Sequence, residues 1–331
     1  CLKSTSANAR LGQGDYLVAE ADESDASFVR LKPMLSIVTN IDADHMSTYQ
    51  GDIEKLRGSF IQFLHNLPFY GLSILCLDDA GIRRILGEVG RSVLTYGVDD
   101  GADVRAKNVT FDRGETSFDV IRPDHDESLH IRLSLPGVHN VRNALAAIAV
   151  ADELQISDHD VVRALKNFEG IERRFQNLGE VRTRNGTVML VDDYGHHPTE
   201  VAATLAAARA GWPGKRVVLA FQPHRYTRTR DLMDDFAFVL SQADVLVLLE
   251  VYAAGEEPIA GADGRSVARA VRGRGGIEPV FIESVERLPS VLEELMHDGD
   301  LVLTMGAGDI GALAQQLPEL LAHGPQLKVH K

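Results

Sequence analysis

Val188-Met189-Leu190-Val191-Asp192-Asp193-Tyr194-Gly195-His196-His197-Pro198 runs from an apolar strand through a polar tip into a helix start. A short apolar run bounded by polar residues fits a buried strand. Proline suits the first turn of a helix, where its missing N–H is no loss. The same unit recurs downstream. Apolar runs at Val217–Phe221, Val245–Leu249, Val280–Ile282 and Leu301–Thr304 alternate with helical segments that start near Thr229, Ser266, Ser284 and Ile310. Such alternation predicts a mostly parallel sheet with helices on both faces. Polar groups past the carboxyl ends of its strands are then the natural ligand site.

Upstream, Tyr16-Leu17-Val18-Ala19 reads as a strand running into Glu20, Asp22, Glu23 and Asp25. Leu35-Ser36-Ile37-Val38 reads as another, running into Thr39, Asn40, Asp42, Asp44 and His45. Asp52 to Asn66 has helical spacing with Asp52 as N-cap. Ser73–Leu77 and Val93–Tyr96 are further strands, and short alternating runs from Val104 to Leu135 predict an antiparallel patch on the same domain. Pro136-Gly137 ends it. Helices follow at Asn140–Leu154 and at Asp158–Phe168, the second capped by Asp158. The domain boundary is expected within about residues 176–186 and drawn between residues 178 and 179, giving domains 1–178 and 179–331.

The 331 residues suit two domains of ordinary size. Lys+Arg is 34 against 48 Asp+Glu, a formal charge of −14. A chain this acidic argues against nucleic acid or anionic membrane as partner, so an anionic ligand must meet a local cationic cluster. Two cysteines, Cys1 and Cys76, make no disulfide framework and fit a reducing compartment, the cytoplasm. No apolar run reaches the ~18–20 residues of a membrane span, and no basic-then-apolar leader opens the chain. Residue 1 is Cys and the opening stretch is polar, as if cut from something longer.

Several clusters carry chemistry. Glu20, with the acids behind it, and His45 offer oxygen ligands and one imidazole suited to a Mg²⁺ that also holds phosphate; the alternative is a solvated acidic loop and a surface histidine. Asn140 and Asn143 lie on one face of a helix start, where an amide can read an adenine edge or Asn140 can cap. Arg173 and Arg174 at the junction can clamp a phosphate as domains close, or form a solvated pair. An acid at the end of a parallel strand, as in Asp192-Asp193, suits a ribose hydroxyl. His196 and His197 point to different sides and make a poor chelate. Gln222-Pro223-His224-Arg225-Tyr226-Thr227-Arg228-Thr229-Arg230 is a cationic strand-end loop suited to carboxylate or phosphate. Gly306-Ala307-Gly308-Asp309-Ile310-Gly311 fits a dinucleotide fingerprint, but no strand or acid follows, so a tight strand–helix turn is expected. The chain has no G-x-x-x-x-G-K-[ST] loop.

Ala19 through Phe28, Thr39 through His45, Asp192 through Pro198 and Phe221 through Arg230 stand in the order seen in the Mur ligases, and the resemblance runs from residue 7 to about residue 315. It implies an incomplete central ATPase domain, mostly parallel with a small antiparallel patch, followed by a Rossmann-like α/β domain for the amino acid. In the family pattern an N-terminal UDP-sugar domain and the phosphate loop lie upstream of residue 1. The implied cofactors are ATP and Mg²⁺. Glu20 and His45 would hold the metal, Asn143 the adenine, Arg174 the γ-phosphate and Asp193 the ribose. Tyr194, His196, Arg225 and Arg228 would receive the amino acid and the acyl intermediate, with His196 as proton acceptor.

Within the family the motifs look most like the member that joins L-alanine to UDP-N-acetylmuramate in bacterial cell-wall synthesis. That implies a cytoplasmic ligase, monomeric or a weak homodimer, acting through an acyl phosphate. By this reading the 331 residues alone are inactive. The rivals are a murein-peptide ligase of cell-wall recycling and a non-catalytic binding module.

Overall fold

The computed structural model describes residue 9 and residues 11–323. Cys1 and the first part of the polar opening stretch lie outside the described residues. The first lobe contains β1 (Leu35–Val38), α1 (Ile53–His65), β2 (Leu72–Cys76), α2 (Ala80–Ile85), β3 (Ser92–Gly97), β4 (Val104–Asp112), β5 (Glu115–Ile121), β6 (Leu129–Leu133), α3 (Val138–Glu153) and α4 (Asp158–Lys166). Its sheet runs in sequence order from β1 to β6. β1 to β4 are parallel, and β4, β5 and β6 form the expected antiparallel patch. Leu56, Phe63 and Leu64 of α1 and Val141, Leu145 and Ile148 of α3 pack with the strands into one core.

The second lobe contains β7 (Gln176–Thr183), β8 (Gly186–Asp193), α5 (Pro198–Gly211), β9 (Val217–Phe221), α6 (Tyr226–Asp231), α7 (Met233–Leu240), β10 (Val245–Leu249), α8 (Gly264–Arg274), β11 (Val280–Ile282), α9 (Leu288–Leu295), β12 (Leu301–Met305), α10 (Ile310–Ala314) and α11 (Leu317–His323). The sheet order is β11-β10-β9-β12-β8-β7, parallel except for β7 against β8. Strands buried on both faces need helices on both. α5, α7 and α8 cover one face and α9, α10 and α11 the other. The mostly parallel two-domain α/β architecture is as the sequence implies.

Four local expectations change. Tyr16–Ala19 is not a strand: Leu17 and Val18 are 92% and 94% exposed, and no strand among the described residues pairs with them. A β-prone run without a partner gains nothing from being extended. β7 occupies the expected linker and spans the 178/179 division; Val181 is its one fully buried residue, as suits an edge strand. α3 starts at Val138, with Gly137 at the N-cap, so Asn140 is inside the helix and its amide donates to Pro136 O at 2.8 Å. Ser157, not Asp158, caps α4; Asp158 instead pairs with the buried Arg122.

The lobes meet along α5. At its C-terminal end the β4–β5 turn docks, with Arg113 N donating to Gly211 O at 3.0 Å. Gly137 is pressed against the same helix: a Cβ there would sit 2.8 Å from Ala207 Cβ, and its φ of +97° disfavours any side chain. At the N-terminal end of α5, Thr199 Oγ1 donates to Asp42 Oδ2 at 2.6 Å.

Candidate active site

A cavity of about 300 Å³ opens between the lobes. Phe28, Phe60 and Phe63 form an apolar wall; Asp42, Asp44 and Glu200 belong to the polar one. The acids come from two sources. β1 ends buried at Val38 and the chain leaves the sheet through Thr39 to His45, which puts Asp42 and Asp44 at the strand's carboxyl end. Glu200 is on the first turn of α5. So acidic a cleft holds phosphate only when cations accompany it.

The acidic loop from Glu20 to Asp25 is tied to the loop that carries His45. Tyr49 OH donates to Glu23 O at 2.5 Å and Thr48 Oγ1 to Ser24 O at 2.6 Å. Glu20 itself is exposed. His45 takes a φ of +53° and its Nε2 lies 3.6 Å from Asp44 Oδ2. No group of three or more His, Cys, Asp or Glu that could hold a metal occurs among the described residues. Glu20 and His45 therefore do not by themselves make a magnesium cage. Asn143 is exposed on the first turns of α3.

The junction is built around two arginines. Arg173 (φ +57°) donates from Nε to the fully buried Asp192 at 2.9 Å and from Nη2 to Gly306 O at 2.5 Å. Its guanidinium lies 5.1 Å from the Tyr194 ring centre, and that of Arg174 lies 5.7 Å away. Arg174 Nη1 donates to Glu200 Oε1 at 3.0 Å. To take a phosphate, Arg174 would exchange Glu200 for it. Asp193 is 5% exposed and already occupied: Oδ2 accepts from Phe175 N at 2.8 Å and Oδ1 from Gly195 N at 2.7 Å. Burial raises its pKa to about 6 against those two N–H groups. In this geometry the carboxylate pins the junction to β8, where the sequence reading expects a ribose contact.

Glu200 organises the start of α5. His197 is the N-cap and Glu200 accepts from His196 N at 2.8 Å and His197 N at 3.1 Å, a capping box with Pro198 in the first turn. Burial pushes the Glu200 carboxyl up, but the His196 N–H, the His196 ring and Arg174 together hold it below the usual value.

Of the residues the family resemblance implies for the amino acid, Tyr194 and His196 stand in one ring stack. Tyr194, His196, His224 and Tyr252 form a ladder of rings with centroid spacings of 5.4, 5.3 and 5.6 Å. Burial lowers the pKa of His196, and burial with His196 and Arg228 nearby lowers that of His224 to about 4. Both rings are neutral at pH 7. His196 Nδ1 lies 3.2 Å from Tyr194 O. A carbonyl only accepts, so Nδ1 carries the hydrogen and the Nε2 lone pair is open to a proton. Arg228, with a side chain 9% exposed, bonds Asp44 through Nη2. Its Nε and Nη1 and the Nδ1 of His224 are buried without a hydrogen-bond partner. Buried donors left open are costly, and an anionic ligand would satisfy them. Arg225 (φ +71°) is exposed and its N–H donates to Tyr252 O at 2.9 Å.

Asp42 and Asp44 are legible in the sequence only as part of an acidic strand tip, and Glu200 not as a cleft residue. The His197-Pro198-Thr199-Glu200 spacing does signal the cap role of Glu200. Nothing local signals that Asp44 meets Arg228, or that Tyr252 completes the ring ladder.

Two family models match this chain: residues 2–151 match the Mur ligase middle domain, and residues 173–308 match the Mur ligase, glutamate ligase domain. Among solved structures, the UDP-N-acetylmuramate-alanine ligase MurC of Thermotoga maritima is 27% identical with a TM-score of 0.72, over 90% of this chain and 62% of that one. A murein peptide ligase of Psychrobacter arcticus 273-4 shares the fold at 22% identity and a TM-score of 0.61, over 91% and 60%. The MurF ligase of Thermotoga maritima, in complex with ADP, does so at 17% and 0.66, over 88% and 63%. The chain thus spans 60–63% of the length of these proteins.

Proposed function

Because the chain belongs to the Mur ligase family, with its middle domain followed by its glutamate ligase domain, we propose that the interlobe cleft serves an ATP-dependent ligase joining L-alanine to UDP-N-acetylmuramate. The product would be a peptidoglycan precursor. The observation that carries this reading is the pair of buried, unpartnered donors on Arg228, Nε and Nη1, with the unpartnered Nδ1 of His224 also buried and a neutral imidazole, His196, on the same side. Such donors fit the carboxylate of an amino acid.

In the proposed reaction the muramoyl carboxylate attacks the γ-phosphorus of ATP, giving an acyl phosphate and ADP. The amine of alanine then attacks the acyl carbon, and the tetrahedral intermediate expels phosphate. The chain's own contribution is positioning and charge. Arg228 and His224 hold the alanine carboxylate. His196 Nε2 takes a proton from the ammonium, so that the amine can attack. Tyr194 and Arg225 flank the same side. Arg174 would move from Glu200 to a phosphate oxygen, and Asn143 would face the adenine. Glu20 and His45 lie on the loops nearest the expected phosphate charge. A magnesium ion there would be completed by phosphate oxygens and water.

The test is phosphate release from ATP with UDP-N-acetylmuramate, comparing L-alanine with a cell-wall tripeptide. The complete gene product is expected to release phosphate with alanine. The 331 residues contain no Walker A loop, so this chain alone is expected to give no turnover. Release with the tripeptide instead would assign the murein-peptide reaction. No release with either would leave only a binding role.

A further inference from the structure

Two acids on one loop of the first lobe reach across the cleft. Asp42 takes the Thr199 hydroxyl at 2.6 Å. Asp44 takes Arg228 Nη2 at 3.0 and 3.2 Å through its two oxygens. The guanidinium is planar and its donors form a rigid fork, so anchoring one nitrogen sets the direction of the others. The anchored nitrogen points to the first lobe, and the two open ones, Nε and Nη1, are buried on the second.

We propose that Asp44 is a positioning residue: its ion pair with Arg228 aims the open Nε and Nη1 at the amino-acid carboxylate, so that the amino acid is held only when the lobes are closed. The ligand half of this inference rests on the ligase reading above; the ion pair itself does not. Asp42 with Thr199 adds a second point of attachment, which resists rotation about the first. With the lobes parted, Arg228 would lose this anchor.

Lobe spacing and ligand use are read separately. Nitroxides on Lys166→Cys and Glu257→Cys, in a Cys1→Ser background, report spacing in this chain by electron–electron resonance; Cys76 is buried. Asp44→Asn is expected to lengthen and broaden the distance distribution. The charge exchange D44R/R228D is expected to restore it. In the complete gene product, Asp44→Asn is expected to raise KM for L-alanine about tenfold, a typical coupling between sites. D44R/R228D should not rescue alanine use, because the cation then sits on the wrong lobe. Unmoved spacing in Asp44→Asn overturns the latch. Parted lobes with an unchanged KM for alanine overturn the positioning role. If the unmutated gene product shows no alanine-dependent turnover, the ligase reading and the ligand half fail together, while the spacing measurement still decides the ion pair.

Discussion

His196 is where burial and hydrogen bonding together define a chemical role. Burial lowers its pKa below the ordinary imidazole value of 6.5, and the Tyr194 carbonyl selects the tautomer. Its neutral form is the active one, so the acid limb of kcat should fall below pH 6.5, the rate dropping as the ring takes up a proton. His196→Gln should cost about a hundredfold or more in amide formation, the usual scale of general base catalysis, read as alanine-dependent phosphate release. Asp193 makes a second prediction at this scale. Its folded pKa of about 6 lies above its ordinary value of 3.8, so the folded state binds more protons between those values. Stability supplied by the protonated group is therefore present at low pH and lost as pH rises through that window, by roughly 3 kcal/mol. Urea denaturation of Asp193→Asn and the parent chain should show the variant gaining on the parent from pH 4 to pH 7. The polar strand-end residues were legible because each follows an apolar run. The fate of Asp193 was not, because a burial of 5% and two backbone N–H partners are tertiary facts.

At the scale of elements, α5 does two jobs. It carries the capping box that holds Glu200 in place, and its length is the surface on which the lobes meet. Glu200→Ala removes the N3 half of the capping box and leaves the half-exposed Arg174 without its carboxylate partner. A loss of about 1–2 kcal/mol is expected by thermal or chemical denaturation. The first turn of α10 makes a sharper demand. A Cβ on Gly311 would sit 2.1 Å from Arg173 Cζ, so Gly311→Ala should displace Arg173 from Asp192 and lower stability by about 1–3 kcal/mol. The glycine spacing that looks like a dinucleotide fingerprint thus serves packing at the junction. The parallel strands of the second lobe were readable because each carries a continuous apolar run, such as Val188–Val191 within β8. β7 was not, since Gln176-Asn177-Leu178-Gly179-Glu180-Val181-Arg182-Thr183 is polar enough to pass for a linker. Tyr16–Ala19 misleads in the other direction. Its composition favours a strand, but pairing decides, and no partner is present among the described residues.

At the scale of the whole molecule, the site exists only because the lobes face each other. Asp42 meets Thr199 across 157 residues and Asp44 meets Arg228 across 184. Periodicity carries no information at such separations, which is why the sequence yields the donor residues but not their pairing. Motif order did carry it in part, through the resemblance to a family whose two domains this chain contains. The central claim is that one carboxylate is activated by phosphoryl transfer and then captured by an amino acid held on the second lobe. The most direct measurement uses UDP-N-acetylmuramate labelled with ¹⁸O in its carboxylate, with ATP, L-alanine and the complete gene product. The expected result is one ¹⁸O atom in the released phosphate, formed only when alanine is consumed, with Arg228→Ala needing far more alanine to reach the same rate. Released phosphate free of ¹⁸O, with the lost carboxylate oxygen in water, or phosphate released without regard to alanine, would contradict it.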